Sequence, residues 1–179
     1  LFRSDEATAE AAEILRLLGI VSGTGSGNFE PGRTLTRAEF CKMAVEIMGN
    51  GDKVAAQMNR TVFADVPSTH WARGYVAVAT QGSSSGSGES AVSTPGIIRG
   101  DATGRFHPDR AITGAEAVTI LMRILGYHDA NVGVGAVWYD GYFNTTLYLS
   151  SSYGKENLPS PWATQIPSLL PLKDPSITL

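Results

Sequence analysis

An internal copy constrains this chain more than any other feature. Residues 27–40, GNFEPGRTLTRAEF, recur as GRFHPDRAITGAEA at residues 104–117. Residues 19–49 laid over 96–126, an offset of 77, share twelve identities in 31 ungapped positions. They include Gly19, Gly23, Gly27, Phe29, Pro31, Arg33, Thr36, Glu39 and Gly49. Chance does not hold glycines, an aromatic, a proline and a Thr-x-x-Glu in one register. The chain is therefore built from copies of one supersecondary unit. Within the Thr-Arg-Ala-Glu tetrapeptide one position breaks the match: Arg37 in the first copy is Gly114 in the second.

Both copies share a plan. In the first, Ala7, Ala11, Ile14, Leu15 and Leu18 follow helical spacing. Gly19, free to take positive φ, ends that helix. A glycine-rich loop follows, with Phe29 or Phe106 expected to plug it into the core. Thr36-x-x-Glu39 and Thr113-x-x-Glu116 then read as capping boxes, in which the threonine hydroxyl and the glutamate satisfy each other's backbone amides. The helices they open are apolar at Phe40, Met43, Ala44 and Ile47, and at Ala117, Ile120, Leu121 and Ile124. The pattern predicts a mostly α fold of tandem helix–loop–helix units.

The second copy has its own opening, FADVPSTHWARGYVAVA, at residues 63–79. Pro67, Ser68 and Thr69 are helix-start signals, and Trp71, Tyr75, Val78 and Ala79 are expected on one face. Residues 82–94, GSSSGSGESAVST, read as a flexible insertion. Trp138 and Tyr142 repeat the Trp71–Tyr75 spacing at an offset of 67 and start a third unit. No further Gly-x-Phe-x-Pro or Thr-x-x-Glu follows. Five prolines in residues 158–179 argue against a long final helix. The expected divisions are residues 1–60, residues 61–128 with the insertion, and an incomplete or divergent third unit at 129–179.

Composition narrows the function. A net charge of −3 gives a nucleic-acid backbone no reason to bind. With Cys41 as the single cysteine, neither an intrachain disulfide nor a cysteine metal cage is possible. No apolar run is long enough to span a bilayer as a helix. The opening LFRSDEATAEAAEILRLLG is a helical pattern and not a signal peptide, and a start without methionine reads as a fragment or processed chain.

Catalytic motifs are missing. His70, His107 and His128 do not form His-Glu-x-x-His, and there is no Gly-x-Ser-x-Gly elbow. GTGSGNF lacks the Gly-Lys-Ser/Thr end of a phosphate loop. DATGRFHPD lacks the carboxylate ladder of a calcium loop. Neither a catalytic residue, a metal site nor a cofactor is expected. Asn59 and Asn144 open formal glycosylation sequons, which are irrelevant if the protein is bacterial.

These residues resemble S-layer homology domains. The resemblance rests on Phe63, Asp65, Val66, Trp71 and Ala72; on Gly96, Ile97, Gly100, Gly104, Phe106 and Pro108; and on Thr36-Arg37-Ala38-Glu39. It covers residues 5–150. It implies three repeats in a pseudo-threefold, mostly helical unit on the bacterial cell surface. The implied role is non-covalent anchoring of an exported protein to secondary cell-wall polysaccharide, often pyruvylated, or to modified peptidoglycan. It also implies that the ligand lies in grooves between repeats, with Arg37 as the main contact.

The physics agrees. Arg37 opens a capped helix, near the positive end of its dipole, and a guanidinium can fork onto a carboxylate. Trp71 can offer a sugar platform, although a core anchor is its plainer role. Asp65 can organise a turn, and Gly23 and Gly100 can admit a sugar close to the backbone. The binding candidates are thus Arg37, Trp71, Asp65, Gly23 and Gly100, with Thr36, Glu39, Thr113 and Glu116 as structural caps. Gly114 motivates a second reading, in which the repeats self-associate in a surface lattice or filament and the glycan site is vestigial. A third makes the chain an anchor for a surface enzyme lying outside it.

Overall fold

The two Thr-x-x-Glu sequences start helices as their chemistry dictates. In a computed structural model, which describes residues 4–23, 30, 32–85 and 92–152, α2 spans Arg37–Ile47 and α5 spans Gly114–Ile124. Thr36 and Thr113 accept from the amides of Glu39 and Glu116, and each glutamate returns to its threonine's amide. Gly49 and Gly126, at φ 66° and 91°, follow the two helices in the left-handed region that side chains resist.

The remaining elements are α1 (Ser4–Leu17), a 3-10 turn at Gly51–Lys53 running into α3 (Val54–Gln57), α4 (Arg73–Thr80), α6 (Asp140–Ser152) and a small antiparallel hairpin. Its strands β1 (Ser83–Ser85) and β2 (Val92–Thr94) pair Ser83 with Thr94 and Ser85 with Val92. The Gly/Ser segment expected as a plain flexible insertion thus carries a strand pair. Its ends already meet: a Cβ on Gly96 would overlap the Thr80 carbonyl, and the Ile98 amide donates to Ala79.

Helix α4 packs on α2 and α3, and α6 packs on α5. The first helix of each later unit therefore covers the capped helix of the unit before it. One buried cluster runs through Ala38, Cys41, Ala44, Val45, Val66, Val76, Ile98, Phe106, Ile112 and Ile120. Phe106 is fully buried, as its motif predicts; its counterpart Phe29 lies outside the described residues. The proline-rich end at 153–179 lies outside them as well.

Two expectations need correction. Helix α4 begins at Arg73, several residues after the Pro67–Thr69 signal, because Val66–Pro67 and His70 form turns first. Trp71 therefore precedes the helix and is 49% exposed, while Val78 and Ala79 are buried. Helix α1 forms, yet of the positions that the spacing marks as apolar Ile14 and Leu18 stay 50% and 66% exposed, while Leu15 is half-buried.

Candidate functional site

The two copies of the motif dock on each other. The first amides of α2 have no partner within the helix. Arg37 donates to the Arg110 carbonyl at 2.8 Å and Ala38 to the Pro108 carbonyl at 2.9 Å, while the Ile112 amide returns to Leu35 at 3.0 Å. Thr36 and Ala111 form an isolated antiparallel bridge. The N-terminus of α2 is thereby closed by protein carbonyls. The dipole-assisted anion seat expected there is unavailable, and only the Arg37 side chain can serve a ligand.

That side chain is 8% exposed. Its Nη1 donates to Glu116 Oε1 at 2.8 Å, its Nη2 donates to the Arg99 carbonyl at 2.5 Å, and its guanidinium lies 4.9 Å from the Phe106 ring centroid. Burial pulls its pKa down, and the Glu116 carboxylate opposes that pull. Glu116 takes a second bond, from Arg110 Nη2 at 2.6 Å. Burial works against the Glu116 anion, but Arg110 and Arg37 hold its carboxyl below the ordinary glutamate range. Glu116 is both a cap and the acid that joins the copies.

Arg37 and Glu116 border a groove of about 410 Å³. The second copy's loop supplies Arg99, Gly100, Asp101, Ala102, Arg105, Phe106 and His107, α5 supplies Thr119 and Arg123, and the third unit supplies Asp129 and Trp138. Asp101 shapes the loop. Its Oδ1 accepts from the Thr103 hydroxyl and from the amides of Thr103 and Arg105, and its Oδ2 meets His107 Nε2 at 2.7 Å. These bonds keep its carboxyl well below the usual carboxylate range. On the far wall, Asp129 is bonded by Arg99, Arg123 and Tyr142, which ties α6 to α5. The Arg105 side chain has no partner among the described residues, and Trp138 is 61% exposed.

Of the five binding candidates, Arg37 and Gly100 border this groove and Trp71, Asp65 and Gly23 do not. Asp65 uses both carboxylate oxygens on the amides of Phe106 and His107, which holds His107 at φ 58° beside the groove. At Gly100 a Cβ would stand 2.5 Å from the Phe63 ring, so its small size serves packing. Trp71 stacks on His70 and meets Tyr75 edge-on, away from the groove. Gly23 takes φ 76° at the start of the first copy's loop.

Sequence reasoning missed Arg99, Arg105, Thr119, Arg123 and Asp129 as groove residues. Trp138 carried a signal, since it repeats Trp71 at the 67-residue offset. Cys41 offers no nucleophile: burial pushes its thiol up to about 12. Among the described residues no cluster of His, Cys, Asp and Glu could hold a metal, and no helix is long and apolar enough to cross a membrane.

The groove is walled by successive repeats, with the Thr-Arg-Ala-Glu arginine on its border. The family model described as S-layer homology domain matches residues 4–41 and 90–118. Those two segments are S-layer homology sequence. Among curated proteins it is 36% identical over 157 residues to the "Surface layer protein" of Brevibacillus choshinensis, covering 87% of this chain and 12% of that protein. It is 38% identical over 122 residues to the "Middle cell wall protein" of Brevibacillus brevis, covering 67% and 10%. It is 27% identical over 153 residues to the "Cell surface protein" of Thermoanaerobacter kivui, covering 85% and 18%. These S-layer homology repeats thus span only a small part of the relatives they match.

Proposed function

We propose that the groove between the copies binds an acidic wall glycan and so anchors an exported bacterial surface protein without a covalent bond. The glycan class is secondary cell-wall polysaccharide carrying ketal-linked pyruvate, or modified peptidoglycan. On this reading the chain is a binding module at the cell surface and not an enzyme. The surface-layer and cell-wall names of its relatives support it.

One observation carries the reading. Five arginines, at 37, 99, 105, 110 and 123, line the groove against three carboxylates, Asp101, Glu116 and Asp129. That is a local excess of two positive charges, His107 counted neutral, in a chain whose net charge is −3. A cationic hollow on an acidic protein selects an acidic ligand. Of the five arginines, Arg105 has no side-chain partner among the described residues and is open to a carboxylate, Arg37 supplies buried charge, and Trp138 gives a pyranose ring an apolar face.

Co-sedimentation with purified wall sacculi tests this. Arg105→Ala and Trp138→Ala change exposed side chains, so both variants keep the fold. The wild-type chain pellets with intact sacculi, and stripping the polysaccharide abolishes pelleting. Arg105→Ala weakens binding by about tenfold, the value of a hydrogen bond between charged groups. Pelleting that survives stripping, or that both variants leave unchanged, ends the proposal.

The exposed apolar face of α1, with Ile14, Leu17 and Leu18, favours a second reading, self-association in a surface lattice. Multimers that grow with protein concentration in the absence of sacculi would support it. A monomer at all concentrations counts against it.

A further inference from the structure

Thr119 sits midway along α5, 2% exposed, and its hydroxyl has no hydrogen-bond partner among the described residues. A buried threonine on a helix ordinarily returns its hydroxyl to a carbonyl one turn back. Thr80 does this to Val76 at 2.7 Å, Thr145 to Gly141 at 2.8 Å and Thr146 to Tyr142 at 2.8 Å. Thr119 does not. A valine would fill the same volume without leaving a polar atom unmatched, so folding alone gives no reason for the hydroxyl. Nor does the repeat require it, since the first-copy counterpart is Lys42.

Four buried polar side-chain atoms are unpartnered among the described residues: Arg37 Nε, Arg73 Nε, Thr119 Oγ1 and His128 Nδ1. Two of their residues, Arg37 and Thr119, border the groove; Arg73 and His128 do not. We infer that Thr119 is a ligand-reading residue whose hydroxyl, together with Arg37 Nε–H, takes one acidic oxygen of the glycan at the groove floor. This rests on the acidic-glycan reading above and adds the residue that discriminates. Arg37 Nε can only donate and the threonine hydroxyl can donate too, so the atom they share must accept from both. A carboxylate oxygen has the lone pairs for that, and the positive lining favours its charge. Both protein atoms are closed to bulk solvent, so the oxygen enters as Arg99 and Arg110, each nearly half exposed, change rotamer.

The test is Thr119→Val in the full 179-residue chain, beside wild type and Thr119→Ser. Titration calorimetry uses wall polysaccharide fragments released from Brevibacillus choshinensis sacculi, either intact or with their carboxylates chemically reduced to alcohols. Thr119→Val melts at or above the wild-type Tm. It binds intact fragments about tenfold more weakly. Thr119→Ser, which keeps the hydroxyl, binds within a few-fold of wild type. On reduced fragments valine and threonine bind alike.

Three results would overturn the inference. Thr119→Val could bind intact fragments within twofold of wild type, it could lose equally on both polymers, or its Tm could fall by several degrees, which would give the hydroxyl a folding partner. A wild-type chain that binds neither polymer removes the acidic-glycan reading itself. That failure differs from a wild-type chain that binds while the valine variant makes no difference.

Discussion

Arg37 joins the repeats as well as charging the groove. Its guanidinium reaches the capping glutamate of the next copy and a carbonyl of that copy's loop. Gly114, at the matching position of the second copy, has no side chain to make such a link. Arg37→Ala should cost about 2 kcal/mol in urea unfolding, less than a fully broken buried pair because Glu116 keeps Arg110. Arg37→Lys should recover less than half of that loss, since one ammonium cannot hold the carboxylate and the carbonyl together. If Lys restores full stability, the forked geometry is irrelevant. Sequence placed this arginine at the opening of a capped helix. It could not show the partner, which is 79 residues away.

The elements were legible to the degree that their causes are local. Both capping boxes and the helix-ending Gly19, at φ 72°, rest on interactions within a few residues, and the structure has them. The start of α4 was misplaced because Pro67–Thr69 also suits a turn, and a turn formed. Asp65 was ambiguous because its partners, the Phe106 and His107 amides, lie about 40 residues on. The insertion gives a prediction at this scale. Thr80 and Gly96 already touch across the base of the β1–β2 hairpin, and the first copy has no such segment. Replacing residues 82–94 with a two-residue Gly-Ser link should therefore shift Tm by no more than about 4 °C, the equivalent of roughly 1 kcal/mol or less. A loss of cooperative melting would show that the hairpin supports the junction. Thr113→Ala, by contrast, should cost about 1 kcal/mol, because it leaves a helix amide without its cap.

At the scale of the whole molecule, four acids that brace the repeats behave alike. Burial opposes ionisation of Glu39, Asp65, Glu116 and Asp129, yet arginines, backbone amides and the Tyr142 hydroxyl outweigh it, and all four carboxyls lie below their ordinary values. A carboxyl with a depressed folded pKa contributes its full stability above its unfolded value and loses it as pH falls through the folded one. The unfolded values are near 4, so Tm should be flat from about pH 8 to pH 5 and fall below about pH 4. Glu116→Gln should lower the neutral-pH plateau and make the acid fall shallower, because it removes one of the groups that must be protonated. Asp129→Asn should do the same and also loosen α6, since Asp129 holds Arg99, Arg123 and Tyr142 at that joint. Trp138 rides on the third unit, so quenching of its fluorescence by iodide should rise in Asp129→Asn while the capped helices keep their far-ultraviolet signal. The three tryptophans must be separated by comparison with Trp138→Phe. Iodide access unchanged by Asp129→Asn would mean that apolar packing of α6 on α5, with Tyr142 and Phe143 buried, holds that wall of the groove without the ion pairs.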